Sequence, residues 1–234
     1  MINNITYEYK KATIQDIEEL VRTRIIVLRA ANKLSDDVDM SLVENKQFIE
    51  TAKLRYQLKK KQIANDIAIS KLYELLTYTM PEYDGKLIRV PTREEFLILN
   101  RIALCLKWNG EKEKAIALYE EILKKYLTST VKPEHHSHIM MLLYLNFLEL
   151  LEVSDCLDRA KEIGKVGFQL VIKYHRGDLL AMFLANTACV LEKSETQAER
   201  LLVLPCLNSS YHLLKLYQLE NKSEKVKRYI EKCD

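Results

Sequence analysis

Apolar residues recur at helical spacing through most of this chain, and alternation is confined to its start. Residues 5–11 (ITYEYKK) alternate and predict one short strand. Thr13 then stands in an N-cap position with Asp16 at the capping-box position. Beyond it Ile17, Leu20, Val21, Ile25 and Leu28 share one helix face, which runs out near Asn32. Ser35-Asp36-Asp37 reads as a loop. From about 38 to 80 the pattern is helical throughout, with 53–62 (KLRYQLKKKQ) as its basic, exposed part. Pro81 should stop that helix. Pro81, Gly85 and Pro91 mark 81–92 as a linker and the main internal boundary.

From Thr92 onward the pattern predicts helix pairs. Thr92 caps a helix, with Glu95 completing the capping box, and this helix runs to Trp108. Asn109-Gly110 is a turn, and a second helix covers about 111–126. Further helices are predicted over about 134–152, 155–175, 178–192, 196–220 and 223–232. Pro205, inside the helix predicted over 196–220, should kink it or sit where a backbone bond is already missing.

Residues 99–126 fit the tetratricopeptide pattern, a helix hairpin of about 34 residues with small and large residues at fixed points. Ala103 and Ala115 are the small residues of close approach, Leu106, Tyr119 and Ile122 the large ones, and Gly110 the turn. Weaker units follow. Phe147, Leu151 and Asp155 belong to a second unit with Ala160, Gly164 and Gly167 as a small-residue face. Leu184, Ala185, Ala188, Ala198 and Leu202 belong to a third, and 222–232 has the polar outer face of a cap. The expected fold is mainly α, a tetratricopeptide-like helix-hairpin superhelix over 92–234. A short strand–helix segment (1–43) and a helical connector (44–91) precede it.

Stacked hairpins form a concave wall from their first helices, a groove suited to an extended peptide or a protein helix. Register places Leu97, Asn100, Leu104, Lys107 and Trp108 on that wall from the first unit. Leu142, Leu145, Asn146 and Glu149 follow from the second, and Met182, Asn186 and Cys189 from the third. The expected peptide-binding set is Asn100, Lys107, Trp108, Asn146, Glu149 and Asn186. An Asn amide carries both a donor and an acceptor, so a row of three could clamp a peptide backbone without reading side chains.

Composition narrows the classes. Of 234 residues 48% are hydrophobic, 5 are Gly and 4 are Pro, which argues against a β-sandwich, a collagen-like chain or a flexible linker. A net charge of +3 argues against a polycation. The 5 cysteines are scattered with no C-x-x-C pair, as for reduced thiols in the cytoplasm. The start, MINN, lacks the basic and apolar regions of a signal peptide, and no apolar stretch has bilayer length.

The remaining candidate chemistry is thin. His135, His136 and His138 attract notice as metal ligands, but only His135 and His138 share a helix face, and no Cys or carboxylate pair joins them. Lys59, Lys60 and Lys61, with Lys53, Arg55 and Tyr56, could touch phosphates, yet a short basic run on a helix is ordinarily a solvated face. Cys105 and Cys189 lie among Leu and Ala and read as small hydrophobes. No catalytic set, metal site or cofactor is expected.

Two resemblances carry the functional reading. The stretches KLYELLTYTMPEYDG (71–85), EEFLILNRIALCLKWNGEKEKAIALYEEILKKY (94–126) and YHLLKLYQLENKSEKVKRYIEK (211–232) resemble the C-terminal domain of peptide-sensing transcription regulators of Gram-positive bacteria, of the Rgg and PlcR type. The resemblance spans roughly 44–234 at the level of pattern. It implies a tetratricopeptide-like superhelix, often a homodimer, that binds a short signalling peptide on its concave face. The family's helix-turn-helix has no counterpart before residue 60, so DNA binding is not carried over. The head, YEYKKATIQDIEELVRTRIIVLRAANKLSDDVDMS (7–41), resembles the start of a GNAT-family acetyltransferase. That family holds acetyl-CoA at a Q/R-x-x-G-x-G/A loop. This chain has no G-x-G, and Arg159, Gly164 and Gly167 have the wrong spacing, so catalysis is not carried over.

The sequence therefore points to a non-enzymatic sensor or interaction module, the regulatory part of a transcription regulator, taking a peptide or protein helix and forming a homodimer. The alternatives are an acetyltransferase-related protein without its catalytic core, or a dimerising scaffold.

Overall fold

The computed structural model describes residues 40–130 and 137–233, with side chains from residue 46 onward. The expected strand over 5–11, helix over 14–32, loop at 35–37 and nearly all of the acetyltransferase-like head lie outside the described residues, as do His135 and His136. The chain divides into two compact units, Met1–Glu82 and Tyr83–Asp234.

In the first unit α1 (Met40–Lys59) packs on α2 (Asn65–Thr77). Leu54 of α1 is buried, as is the stripe Ala68, Leu72, Leu75 and Leu76 of α2. Gln47 is also buried, and its amide donates to the Leu75 carbonyl (2.8 Å) and Thr79 Oγ1 (3.0 Å), so its burial leaves that nitrogen satisfied. The continuous helix expected over 38–80 is interrupted here. Lys61 turns left-handed (φ 54°), and the Gln62 N–H closes α1 by donating to the Gln57 carbonyl at 2.8 Å. The second helix ends at Thr77, before Pro81 is reached.

The second unit is a run of hairpins. Helices α3 (Arg93–Trp108) and α4 (Lys112–Leu127) form the first, and α5 (Ser137–Val153) and α6 (Leu157–Lys173) the second. Helix α7 (Gly177–Glu192) pairs with α9 (Val203–Leu216), the one-turn α8 (Gln197–Arg200) lies between them, and α10 (Glu220–Cys233) packs on α9. Successive first helices also touch, α3 against α5 and α5 against α7. This is the helical, tetratricopeptide-like architecture the periodicity predicts.

The first helix begins as expected. Thr92 Oγ1 accepts from the Glu95 N–H (3.4 Å), and the Glu95 carboxylate accepts from the Thr92 N–H (2.6 Å). Glu95 is fully buried, and its charge is met by both terminal nitrogens of Arg89 at 2.8 and 2.7 Å. The helix expected over 196–220 is instead split at Leu201–Leu202 into α8 and α9. Pro205 falls in the first turn of α9, where the backbone N–H has no intrahelical partner to lose.

Left-handed junctions close α3, α5, α6 and α9. Gly110 (φ 83°) does so with the ease glycine allows, but Asp155 (55°), His175 (52°) and Gln218 (55°) do the same without it. In each case the next N–H reaches back five residues, as from Cys156 to Leu151 (3.0 Å) and Leu219 to Leu214 (2.9 Å). Helix α5 has no basic residue in its own last turn. Lysines from its neighbours serve its C-terminal carbonyls instead: Lys112 bonds Val153 O (2.6 Å) and Lys193 bonds Glu152 O (2.8 Å).

Candidate functional site

The expected wall is built where α3 meets α5. Asn100 points inward and is 8% exposed. Its Oδ1 accepts from the Tyr119 hydroxyl of α4 (2.8 Å) and from Asn146 Nδ2 of α5 (3.0 Å). Both lone pairs of that oxygen are thereby used. Tyr119 is buried and stacks on Phe147 with ring centroids 5.1 Å apart, and burial raises its hydroxyl far above the usual phenol range. One amide thus pins three helices.

Two turns along α3, Lys107 reaches α5 and pairs with Glu149 at 2.6 Å. The ammonium end of this pair is the more sheltered, with the Lys107 side chain 12% exposed and that of Glu149 50%. Trp108 follows it at the end of α3, 53% exposed. Asn186 on α7 is half-buried and makes no side-chain hydrogen bond among the described residues.

The six residues therefore do not form a uniform row. Asn100 and Asn146 hold each other, Lys107 and Glu149 hold each other, and Trp108 and Asn186 are available. The α7 end of the expected wall is partly covered: the Lys222 ammonium of α10 lies 2.8 Å from Met182 Sδ. Tyr229 of α10 bonds Glu192 (2.7 Å) and Cys189, while burial raises the Cys189 thiol. Periodicity could place these residues on a face, but it carried no signal that they bond across it.

Other sequence candidates resolve locally. His138 sets its Nδ1 against the Arg176 guanidinium, and burial followed by that cation lowers its pKa. Arg176 itself is engaged by Asp178 through two bonds of 2.8 and 2.7 Å. Lys53 is paired with Glu50 at 2.9 Å, whereas Lys59, Lys60 and Lys61 are exposed where α1 ends. Cys105 is buried, which pushes its thiol up to about 11. Among the described residues no helix is long and apolar enough to cross a membrane.

No family model and no curated protein matches the chain. Solved structures do. The crystal structure of Bacillus thuringiensis PlcR in complex with the peptide PapR7 and DNA superposes with a TM-score of 0.68 over 91% of this chain and 68% of that one, at 14% identity. The crystal structure of PlcR in its apo form matches with a TM-score of 0.64 over 93% and 72%, at 15% identity. At such identities the likeness is one of fold.

Proposed function

We propose that this chain is a peptide-binding regulatory module that takes a short peptide or a protein helix along the α3–α5–α7 wall. The observation that carries the reading is the set of polar groups from neighbouring first helices, Asn100 with Asn146 and Lys107 with Glu149, beside the exposed Trp108. The likeness to PlcR, one of whose structures holds the peptide PapR7, supports it.

Asn100 acts as the pin that sets the wall, and Asn146 and Asn186 are the amides that meet a peptide backbone. A peptide carboxylate competes with Glu149 for Lys107, so binding weakens with added salt. Regulation follows if the peptide favours one curvature, or one homodimer contact, over another. Only such differential affinity can shift the equilibrium.

The chain's 1 tryptophan is the reporter. Titration with pooled short apolar peptides should shift Trp108 emission, and the Asn146→Ala/Asn186→Ala variant should weaken that response about tenfold or more, as for two buried polar contacts. An unaltered response in the double variant would remove the clamp. No peptide response at all would remove the module.

A further inference from the structure

Away from the wall residues, α5, α6, α7 and the α8–α9 segment enclose a half-open cavity of about 510 Å³. That volume lies within the range of small-ligand sites, about 300–1,000 Å³. Its apolar lining comes from Leu148, Phe168, Leu184, Val190, Leu202 and Cys206. The small residues of α6 have different reasons to be small. At Gly167 a Cβ would lie 2.3 Å from the Phe183 ring, so close packing requires glycine. At Gly164 a Cβ would meet Leu148 no closer than 3.5 Å, and with Ala160 this residue leaves room in the cavity floor.

Charge is found at the rim. Lys161 pairs with Glu199 at 2.7 Å, and Glu199 also accepts from Ser194 and from Thr196 Oγ1 (3.0 Å). Lys165, one turn further along α6, is exposed and has no ion pair or side-chain hydrogen bond among the described residues. The acidic group at this rim is thus already matched, and one cation is not.

We infer that this cavity binds an amphiphile with a single aliphatic chain and an anionic head, of the fatty-carboxylate class. The chain lies among Leu148, Leu184, Val190 and Leu202, where water is poorly accommodated, and the head meets Lys165 at the mouth. An aliphatic chain gains from leaving water along its whole length, while one cation at the mouth fixes which end stays out. The site shares no residue with the α3–α5–α7 wall, so it stands apart from the peptide reading.

The test is calorimetric titration of the full chain with sodium decanoate and, separately, with decanol. Decanoate should bind saturably, at one site per chain, and raise the melting temperature. Lys165→Gln, a surface change that leaves folding intact, should weaken decanoate by roughly two- to fivefold and leave decanol unchanged. Gly164→Leu fills the floor and should abolish binding of both, with an unchanged helical circular dichroism spectrum as its control. Four results would overturn the assignment: no saturable binding, binding indifferent to Gly164→Leu, decanoate affinity indifferent to Lys165→Gln, or loss of decanoate binding in Asn146→Ala/Asn186→Ala.

Discussion

Two glycines one turn apart on α6 should answer the same substitution with opposite signs. In a helix interior Gly→Ala ordinarily stabilises by about 0.8–1.0 kcal/mol, because alanine loses less backbone freedom. At Gly164 nothing opposes this gain, since the nearest atoms to the new methyl are Leu148 Cδ1 at 3.5 Å, Leu148 Cδ2 at 3.6 Å and Thr187 Oγ1 at 3.9 Å. Gly164→Ala should therefore raise stability by about 1 kcal/mol, or the melting temperature by about 2–4 °C for a chain of this size. At Gly167 the methyl would sit 2.3 Å from Phe183 Cε1, 2.5 Å from Cζ and 3.1 Å from Tyr144 Cβ. Carbon atoms pack at about 3.5–4.0 Å, so the overlap is about 1 Å deep. Phe183 is fully buried and cannot swing outward. Overpacking of this kind costs about 1–3 kcal/mol, and a rigid ring belongs at the upper end. Net of the propensity gain, Gly167→Ala should lose about 2 kcal/mol and about 4–8 °C. Urea titration followed by circular dichroism at fixed m-value measures both. Stabilisation by both substitutions would mean that α6 does not approach α7 as closely as described, and the reasoning from close packing would fail.

Three further outcomes follow from groups already described. Gln218 is exposed and left-handed, so Gln218→Gly should relieve the backbone and stabilise by about 0.5–1 kcal/mol; a loss of stability in urea would refute this. Lys161, Ser194 and Thr196 lower the Glu199 carboxyl to about 2 from 4.5. A depressed carboxyl contributes its stability in full above the unfolded value and loses it as pH falls toward the folded one. The stability difference between the native chain and Glu199→Gln should thus hold above about pH 4.5 and vanish toward pH 2, and a pH-independent difference would contradict it. A thiol reagent at pH 8 should modify the exposed Cys156 and Cys233 promptly but reach Cys105, raised to about 11, only on unfolding; prompt labelling of Cys105 would show the first hairpin opening.

The sequence was most legible where local chemistry decides the outcome. Thr92 and Glu95 announce the start of α3, and Gly110 its end, because caps and tight turns depend on residues close along the chain. The breaks near Asp155 and His175 also fall where the helical pattern lapses, although no glycine carries the left-handed closure there. The same reading fails at Lys61, where left-handed closure by a residue with a side chain leaves no glycine signal and 38–80 reads as continuous helix, and it places the Gln218 break a few residues late. The split at Leu201–Leu202 escaped for a similar reason, with Pro205 lying inside the new first turn rather than at the break. Within the site, periodicity put Asn100, Asn146, Lys107 and Glu149 on first helices but not in contact. Their bonds join residues 46 and 42 positions apart, distances over which no local spacing rule speaks. The cavity beside Gly164 left no trace in the pattern, because an unfilled volume belongs to the packing of several helices and to no single segment.

Helix α10 turns Ser223 and Val226 inward and keeps Lys222, Glu224, Lys225, Lys227 and Arg228 outward. Behind it Ala181, Ala188 and Leu214 pack into the cluster that Val226 completes. Hairpins stacked face to back have no geometric stop, since the back of each is shaped to receive another. A second molecule presented with a bare apolar back would add to it, and a third to that one, in the open-ended growth of heterologous contacts that never close into a ring. A layer of fixed charge makes each such addition costly in desolvation. Loss of α10 should therefore bare the apolar cluster behind it and promote self-association, which light scattering would detect.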